Sequence, residues 1–167
     1  MPFSLLPKLI LNSLTDVTAD LLRERNIRLL MLDFDNTIVP YTTNTPTARM
    51  DAWLKAMAAS EFTVCIVSNS RNDRVPKFCA QYGLPCILRA KKPGTRGIRE
   101  CLQRYQIPPE QAALVGDQIF TDTLGANLAG VTPILIPAID NHNFWLKARH
   151  VLELPFIFAA RKRRIGT

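Results

Sequence analysis

Residues 27–40, "IRLLMLDFDNTIVP", decide how the rest of the chain is read. Ile27 and the stretch from Leu29 to Leu32 make an apolar run too short for a helix of its own, so a buried strand fits. The run ends in two carboxylates, Asp33 and Asp35, and then opens into Asn36 and Thr37. A buried charge is costly unless something binds it, and a second like charge nearby adds to the cost. Either a cation or a reaction is expected where this strand ends.

Outward from this strand the pattern alternates. Upstream, residues 1–26 read as helical: Leu5, Leu6, Leu9 and Ile10 share a face, and a second segment lies around "TADLLRERN". Downstream, a polar loop leads to Thr45, a candidate N-cap, with Pro46 in the first turn of the helix "TARMDAWLKAMAAS". "FTVCIVSNS" is a second buried strand, β-branched and apolar up to Ser68. "NDRVPKFCAQYG" is a helix stopped by Gly83, in which Pro76 must sit in the first turn or kink the helix. "CILRA", "AALVGD" and "TPILIP" read as strands, and "TRGIRECLQRYQ" and "TDTLGANLAG" as helices. Strands alternating with helices imply an α/β fold, a Rossmann-like parallel sheet covered on both faces. The expected organisation is one domain over residues 1–167, with a helical segment at 1–26 and a basic tail at 145–167. Such sheets bind ligands at the carboxyl ends of their strands. Asp33, Ser68, Lys92 and Asp117 each follow a predicted strand, so their loops should converge.

Bulk properties bound the function. A chain of 167 residues suits one domain with a full core, and no apolar run approaches the roughly 18 residues of a membrane span. The N-terminal "MPFSLLPKLILNSL" is short, carries a proline, a lysine and an asparagine, and shows no small-residue cleavage site, so it reads as mature protein. Cys65, Cys79, Cys86 and Cys101 form no C-x-x-C pair, and the only histidines are His142 and His150. A structural zinc site is not expected. Buried free thiols in a reducing cytoplasm are. The net charge of +7 is uneven: Lys147, Arg149, Arg161, Lys162, Arg163 and Arg164 stand against Glu153 alone over residues 147–167. A basic tail attracts an anionic partner: nucleic acid, a lipid surface or solvent counterions.

Taken singly, the loop motifs have blander readings. "SNS" at 68–70 is ordinary turn chemistry. A lysine beside a proline is usually solvated, and Asp122 with Thr121 suits a helix cap. Taken together and in order, they cohere. Carboxylates at Asp33, Asp35 and Asp117 suit a hard cation such as Mg²⁺. The hydroxyl of Ser68 and the ammonium of Lys92 suit the remaining oxygens of a phosphate. A metal beside a lysine is a site for phosphoryl groups, where catalysis is mostly positioning and charge neutralisation.

"DFDNT", "SNS", "KP" and "GDQIFTD", in that order, resemble the haloacid dehalogenase superfamily of phosphatases over roughly residues 28–136. More narrowly, "KKPG" and "GDQIFTD" with "LDFDNT" are similar to the YqeG-like subclass III-A phosphatases, a group similar to the mitochondrial and plastid phosphatidylglycerophosphate phosphatases. The resemblance implies that Asp33 is the nucleophile and that Asp35 is the acid for the leaving alcohol, then the base for water. It implies that Thr37 supports Asp35 and its loop, and that Ser68 and the Asn69 amide bind the phosphoryl group. Lys92 would neutralise nucleophile and phosphate, with Lys91 as the competing assignment. Asp33, the Asp35 backbone carbonyl and Asp117 would hold Mg²⁺, with Asp122 as a further acidic member. A carboxylate nucleophile splitting hydrolysis into two steps is consistent chemistry. The short segments after Asp35 and Ser68 leave room for a minimal cap domain or none.

The expected substrate is a phosphomonoester, an anionic phospholipid before a soluble phosphosugar, nucleotide or phosphoprotein. The apolar N-terminus and the mixture of Phe144, Trp145, Phe156 and Phe158 with basic residues suit peripheral attachment to a membrane from the cytoplasm. A non-enzymatic nucleic-acid or ribosome-associated module is the weaker alternative: the aromatic residues are not interleaved with the basic ones as a single-strand stacking platform would need, and no nucleic-acid motif is visible. The oligomeric state is left open.

Overall fold

In the computed structural model, the described residues are 4–140 with 155 and 157–159. The basic tail, His142, His150 and most of the interfacial aromatic residues lie outside them. Six parallel strands form one sheet in the order β1-β6-β5-β2-β3-β4. These are β1 (Leu9–Ile10), β2 (Leu29–Leu32), β3 (Thr63–Val67), β4 (Cys86–Ile87), β5 (Ala112–Gly116) and β6 (Thr132–Leu135). The helices are α1 (Ala19–Glu24), α2 (Ala48–Ala58), α3 (Arg74–Tyr82), α4 (Arg96–Tyr105) and α5 (Leu124–Ala129).

The strand alternation of β2 explains the layering. Leu30 and Leu32 face a core built with Leu22 of α1, Leu54 of α2 and Phe78 of α3. Leu29 and Met31 face the opposite core, with Ile98 and Cys101 of α4 and Ala126 of α5. All four strand residues are fully buried. Each such burial contributes about 1.5–3 kcal/mol, which is why this run reads as apolar on both faces. The four cysteines are free, and Cys65, Cys79 and Cys101 are buried. No helix among the described residues is long and apolar enough to cross a membrane.

Three expectations need correction. The segment 1–26 is not helical throughout: Leu9 and Ile10 pair with Ile134 and Leu135 as an edge strand, and the Lys8 and Leu11 amides bond the Pro133 and Leu135 carbonyls. Pro7 disfavours helix just before them, and β6 offers an open edge whose hydrogen bonds replace a helix's own. The N-cap of α2 is Thr47, whose side chain accepts from the Met50 amide, so Pro46 lies before the helix. The segment "TDTLGANLAG" divides into a wide turn at Ile119–Thr123 and α5, because Asp122 is turned to other work described below. Gly83 does stop α3, with φ +63° in the left-handed region.

Candidate active site

Sheet register brings the distant carboxylates together. The order runs outward from β2 in both directions, to β3 and β4 on one side and to β5 and β6 on the other. Such a reversal opens a crevice at the strands' carboxyl ends. Leu32 is in register with Val115 of β5 and Ile66 of β3, and the Asp33 amide donates to the Val115 carbonyl at 2.9 Å. Asp33, Asp117 and Ser68 therefore leave neighbouring strands at one level.

The turn after β2 then sets the side chains. The Phe34 carbonyl accepts the Ile38 amide at 3.0 Å, and the Asn36 amide donates to Val39 at 2.7 Å. Asn36 takes φ +60°, a conformation asparagine tolerates better than most residues. Phe34 is fully buried edge-on to Phe78, with ring centroids 5.1 Å apart. Alternation about Phe34 turns Asp33 and Asp35 to the same side, into an open cleft of about 240 Å³. Ser68, Asn69, Lys92, Gln118, Thr121 and Tyr41 also line it.

Lys92 is the centre of charge. Its Nζ lies 2.7 Å from Asp33 Oδ1 and 2.7 Å from Asp122 Oδ1. Burial works against the ammonium, yet Asp122 and Asp33 carry it above its usual range. Burial pushes the Asp122 carboxyl up to about 6, against the pull of Lys92. Lys91, by contrast, is exposed with φ +58°. The Asn69 side chain clamps the backbone between them and the site: its Oδ1 accepts the Lys92 amide at 2.8 Å and its Nδ2 donates to the Lys92 carbonyl at 2.9 Å. Asp122 does not cap a helix. Its Oδ2 accepts the Gln118 amide at 3.2 Å, and Gly116 makes room for it, since a Cβ there would overlap the Asp122 carboxyl group.

Thr37 is fully buried and its amide donates to Phe34, but its hydroxyl makes no hydrogen bond among the described residues. The contact to Asp35 comes from Arg74 instead, with Nη2 at 3.1 Å from Oδ1. Burial raises the Asp35 carboxyl above its ordinary value, Arg74 opposes this, and Asp33 adds to it. Arg74 was invisible to motif reading, since an arginine in the first turn of a helix carries no signal of its own. Thr121 donates to Gln118 Oε1 at 3.1 Å and both line the cleft, a role that a turn threonine and a lone glutamine do not signal in the sequence.

The donor set fits a divalent cation. Carboxylate oxygens of Asp33, Asp117 and Asp122 lie within 4.8 Å of one another, all buried. Among the described residues, Lys92 pairs with Asp33 and Asp122 and Arg74 with Asp35, so four carboxylates meet two cations and a hard cation with oxygen ligands would balance the excess negative charge. Both oxygens of Asp122 are bonded and the Asp35 carboxylate turns to Arg74. Asp33 and Asp117 are the carboxylates best placed to hold the ion, while Asp122 holds Lys92.

Comparison with known proteins gives a consistent family. The family model described as mitochondrial PGP phosphatase matches residues 1–138. The chain is 29% identical to a protein of Bacillus subtilis (strain 168) described as "Probable phosphatase YqeG", over 95% of this chain and 92% of the relative. Among solved structures, the 3-deoxy-D-manno-octulosonate 8-phosphate phosphatase of Yersinia pestis matches with a TM-score of 0.55 at 21% identity, covering 80% of this chain and 76% of that one. The cobalt-bound deoxy-D-mannose-octulosonate 8-phosphate phosphatase of Haemophilus influenzae matches with a TM-score of 0.54 at 14% identity, covering 75% of each chain. At these identities the two structures establish the α/β fold.

Proposed function

This chain belongs to the PGP phosphatase family, within the haloacid dehalogenase phosphatases, and on that premise we propose that it converts phosphatidylglycerophosphate to phosphatidylglycerol using Mg²⁺. That it is a phosphatase follows from the family. The lipid substrate is supported by the family description, and by the short segment 36–47 between β2 and α2, which leaves little room there for a cap domain. A site without a cap domain admits a phosphate that projects from a bulky or surface-bound molecule.

In this reading the Asp33 carboxylate attacks phosphorus as the bond to the leaving oxygen breaks, and Asp35 gives that oxygen its proton. Water then gives a proton to Asp35 as it attacks the aspartyl-phosphate, releasing phosphate and restoring Asp33. Lys92 holds Asp33 in place and offsets its charge beside an anionic substrate. Ser68 lines the cleft where phosphoryl oxygens would lie. Mg²⁺ held by Asp33 and Asp117, with the Asp35 backbone carbonyl, would supply charge neutralisation of the phosphoryl group. The same reading has the protein work at an anionic membrane surface, reached through its termini.

The carrying observation is Lys92 bridging Asp33 and Asp122 beside Asp117 at the β2/β5 crevice. The test is a panel of esters assayed with purified protein and Mg²⁺: phosphatidylglycerophosphate in vesicles, phosphosugars, nucleotides and a phosphopeptide. A kcat/KM highest for the lipid supports the reading. One equal or higher for a soluble ester overturns the substrate while leaving the phosphatase.

A further inference from the structure

Arg74 belongs to none of the motifs, yet its side chain joins several parts of the cleft wall. Besides its ion pair with Asp35, its guanidinium donates to three carbonyls of the loop after β2: Tyr41 at 2.7 Å through Nη1, and Pro40 at 3.1 Å and Thr43 at 3.3 Å through Nη2. Its Cζ lies 5.1 Å from the centroid of the Phe34 ring. The side chain is only 16% exposed. Its backbone is held too, since the Arg74 amide donates to Asn72 Oδ1 at 3.1 Å.

These contacts fix the guanidinium independently of Asp35. Its Cζ lies over the Phe34 ring, and Phe34 itself packs edge-on against Phe78. The carbonyls of Pro40, Tyr41 and Thr43 take donors at its edge. Asp35 then meets a positive charge in a set position, with Nη2 at 3.1 Å from its Oδ1. A planar fork can serve a ring, several carbonyls and a carboxylate at once, whereas an ammonium on a flexible stem cannot. Tyr41, whose carbonyl Arg74 holds, lines the cleft.

We infer that Arg74 is a positioning residue for the phosphatase reaction: it aims the Asp35 carboxyl at the leaving oxygen and ties it to the 40–43 loop, so that proton donor and cleft wall keep one geometry. The inference rests on the reading of Asp35 as the proton donor. It has a signature that general loosening of the fold lacks. An alkoxide is a poor leaving group and needs the proton as the P–O bond breaks, whereas a nitrophenolate departs without it. Misaiming Asp35 should therefore lower kcat/KM, which reads the phosphoryl-transfer half-reaction, on alkyl esters and spare it on aryl ones, while the water step shared by both esters bears on kcat alone.

The experiment uses the full chain with saturating Mg²⁺ and compares Arg74→Met, Arg74→Lys, Asp35→Asn and the double variant Arg74→Met/Asp35→Asn. kcat and KM are measured on glycerol 3-phosphate and on p-nitrophenyl phosphate, with thermal unfolding followed in parallel. Misplacement of a catalytic group by about 1 Å can cost on the order of 10²-fold. Arg74→Met should lower kcat/KM on the alkyl ester about 10- to 100-fold, with kcat/KM on the aryl ester within about threefold of wild type. Arg74→Lys keeps the charge but not the fork, and should show the same selective loss at smaller size. In the Asp35→Asn background, Arg74→Met should add nothing on the alkyl ester. Equal losses of kcat/KM on both esters, or losses of kcat/KM that multiply in the double variant, overturn the inference. If Asp35→Asn is impaired on the alkyl ester and Arg74→Met is not, Arg74 alone is misassigned. If Asp35→Asn hydrolyses the alkyl ester like wild type, the proton-donor reading falls and the inference with it. Should Arg74→Met fail to fold, Arg74→Lys decides by the same comparison of the two esters.

Discussion

Replacing Lys92 by Met tests the electrostatic core of the site most directly. Met keeps most of the stem and removes the charge. In the wild-type protein the ammonium lies 2.7 Å from both Asp33 and Asp122, and its side chain is 1% exposed. Without it, the carboxylates of Asp33, Asp117 and Asp122 remain within 4.8 Å of one another with no buried cation among them. Removing one partner of a buried ion pair costs about 3–5 kcal/mol, because the other charge stays buried. A domain holds only about 5–15 kcal/mol in total, so much of the stability is at stake. For a domain of this size the loss corresponds to a Tm lowered by roughly 6–20 °C. The assay is urea and thermal unfolding of Lys92→Met and wild type in chelator at pH 7.5. Part of the loss should return with Asp122→Asn added, since that removes one uncompensated charge. It should return in Lys92→Met when excess Mg²⁺ is added, because a ligand bound only by the folded state stabilises it. A Lys92→Met protein within about 1 kcal/mol of wild type in chelator would refute the buried charge cluster.

Other outcomes follow from the same geometry. Gly116→Ala puts a Cβ onto the Asp122 carboxyl, so it should displace Asp122 from Lys92 and lower both stability and kcat; unchanged values in unfolding and turnover assays would disprove that close approach. Asp33→Asn should abolish turnover while leaving the unfolding curve cooperative, checked by phosphate release and circular dichroism. Chelation should stop phosphate release and Mg²⁺ restore it, with Ca²⁺ a poor substitute because its coordination is longer and more variable. For metal-free protein the sign at Asp122 is set by its upward shift from 3.8 to about 6: its contribution to stability is present below 3.8 and lost as pH rises through 6, so Asp122→Asn should flatten that part of the pH–stability curve. Replacing Arg161, Lys162, Arg163 and Arg164 by Gln should weaken binding to anionic vesicles by about 1 kcal/mol per residue and spare a soluble ester, measured by vesicle sedimentation and parallel turnover.

Local chemistry made much of this protein legible before any coordinates. A four-residue apolar run ending in Asp33 identifies a strand buried on both faces, because only a sheet covered by helices needs no polar side. Gly83 marks the end of α3 through its left-handed backbone. The order of "DFDNT", "SNS", "KP" and "GDQIFTD" names the chemistry, because carboxylates, a hydroxyl and an ammonium at strand ends suit few ligands but phosphate and metal. What the residues cannot carry is adjacency. Leu9–Ile10 becomes a strand because β6 leaves an edge beside it, and that vacancy is written nowhere in residues 1–26. Lys92 rather than Lys91 enters the site because Asn69 clamps the Lys92 backbone and Lys91 turns outward at positive φ. Asp33 meets Asp117 because β5 is hydrogen-bonded to β2, and Asp35 meets Arg74 because Phe34 and the 40–43 loop hold the guanidinium there. Side-chain periodicity reports which way a residue faces within its own element. Which elements lie side by side is settled by backbone hydrogen bonds and packing across the whole sheet, and those leave almost no mark on the identity of any single residue.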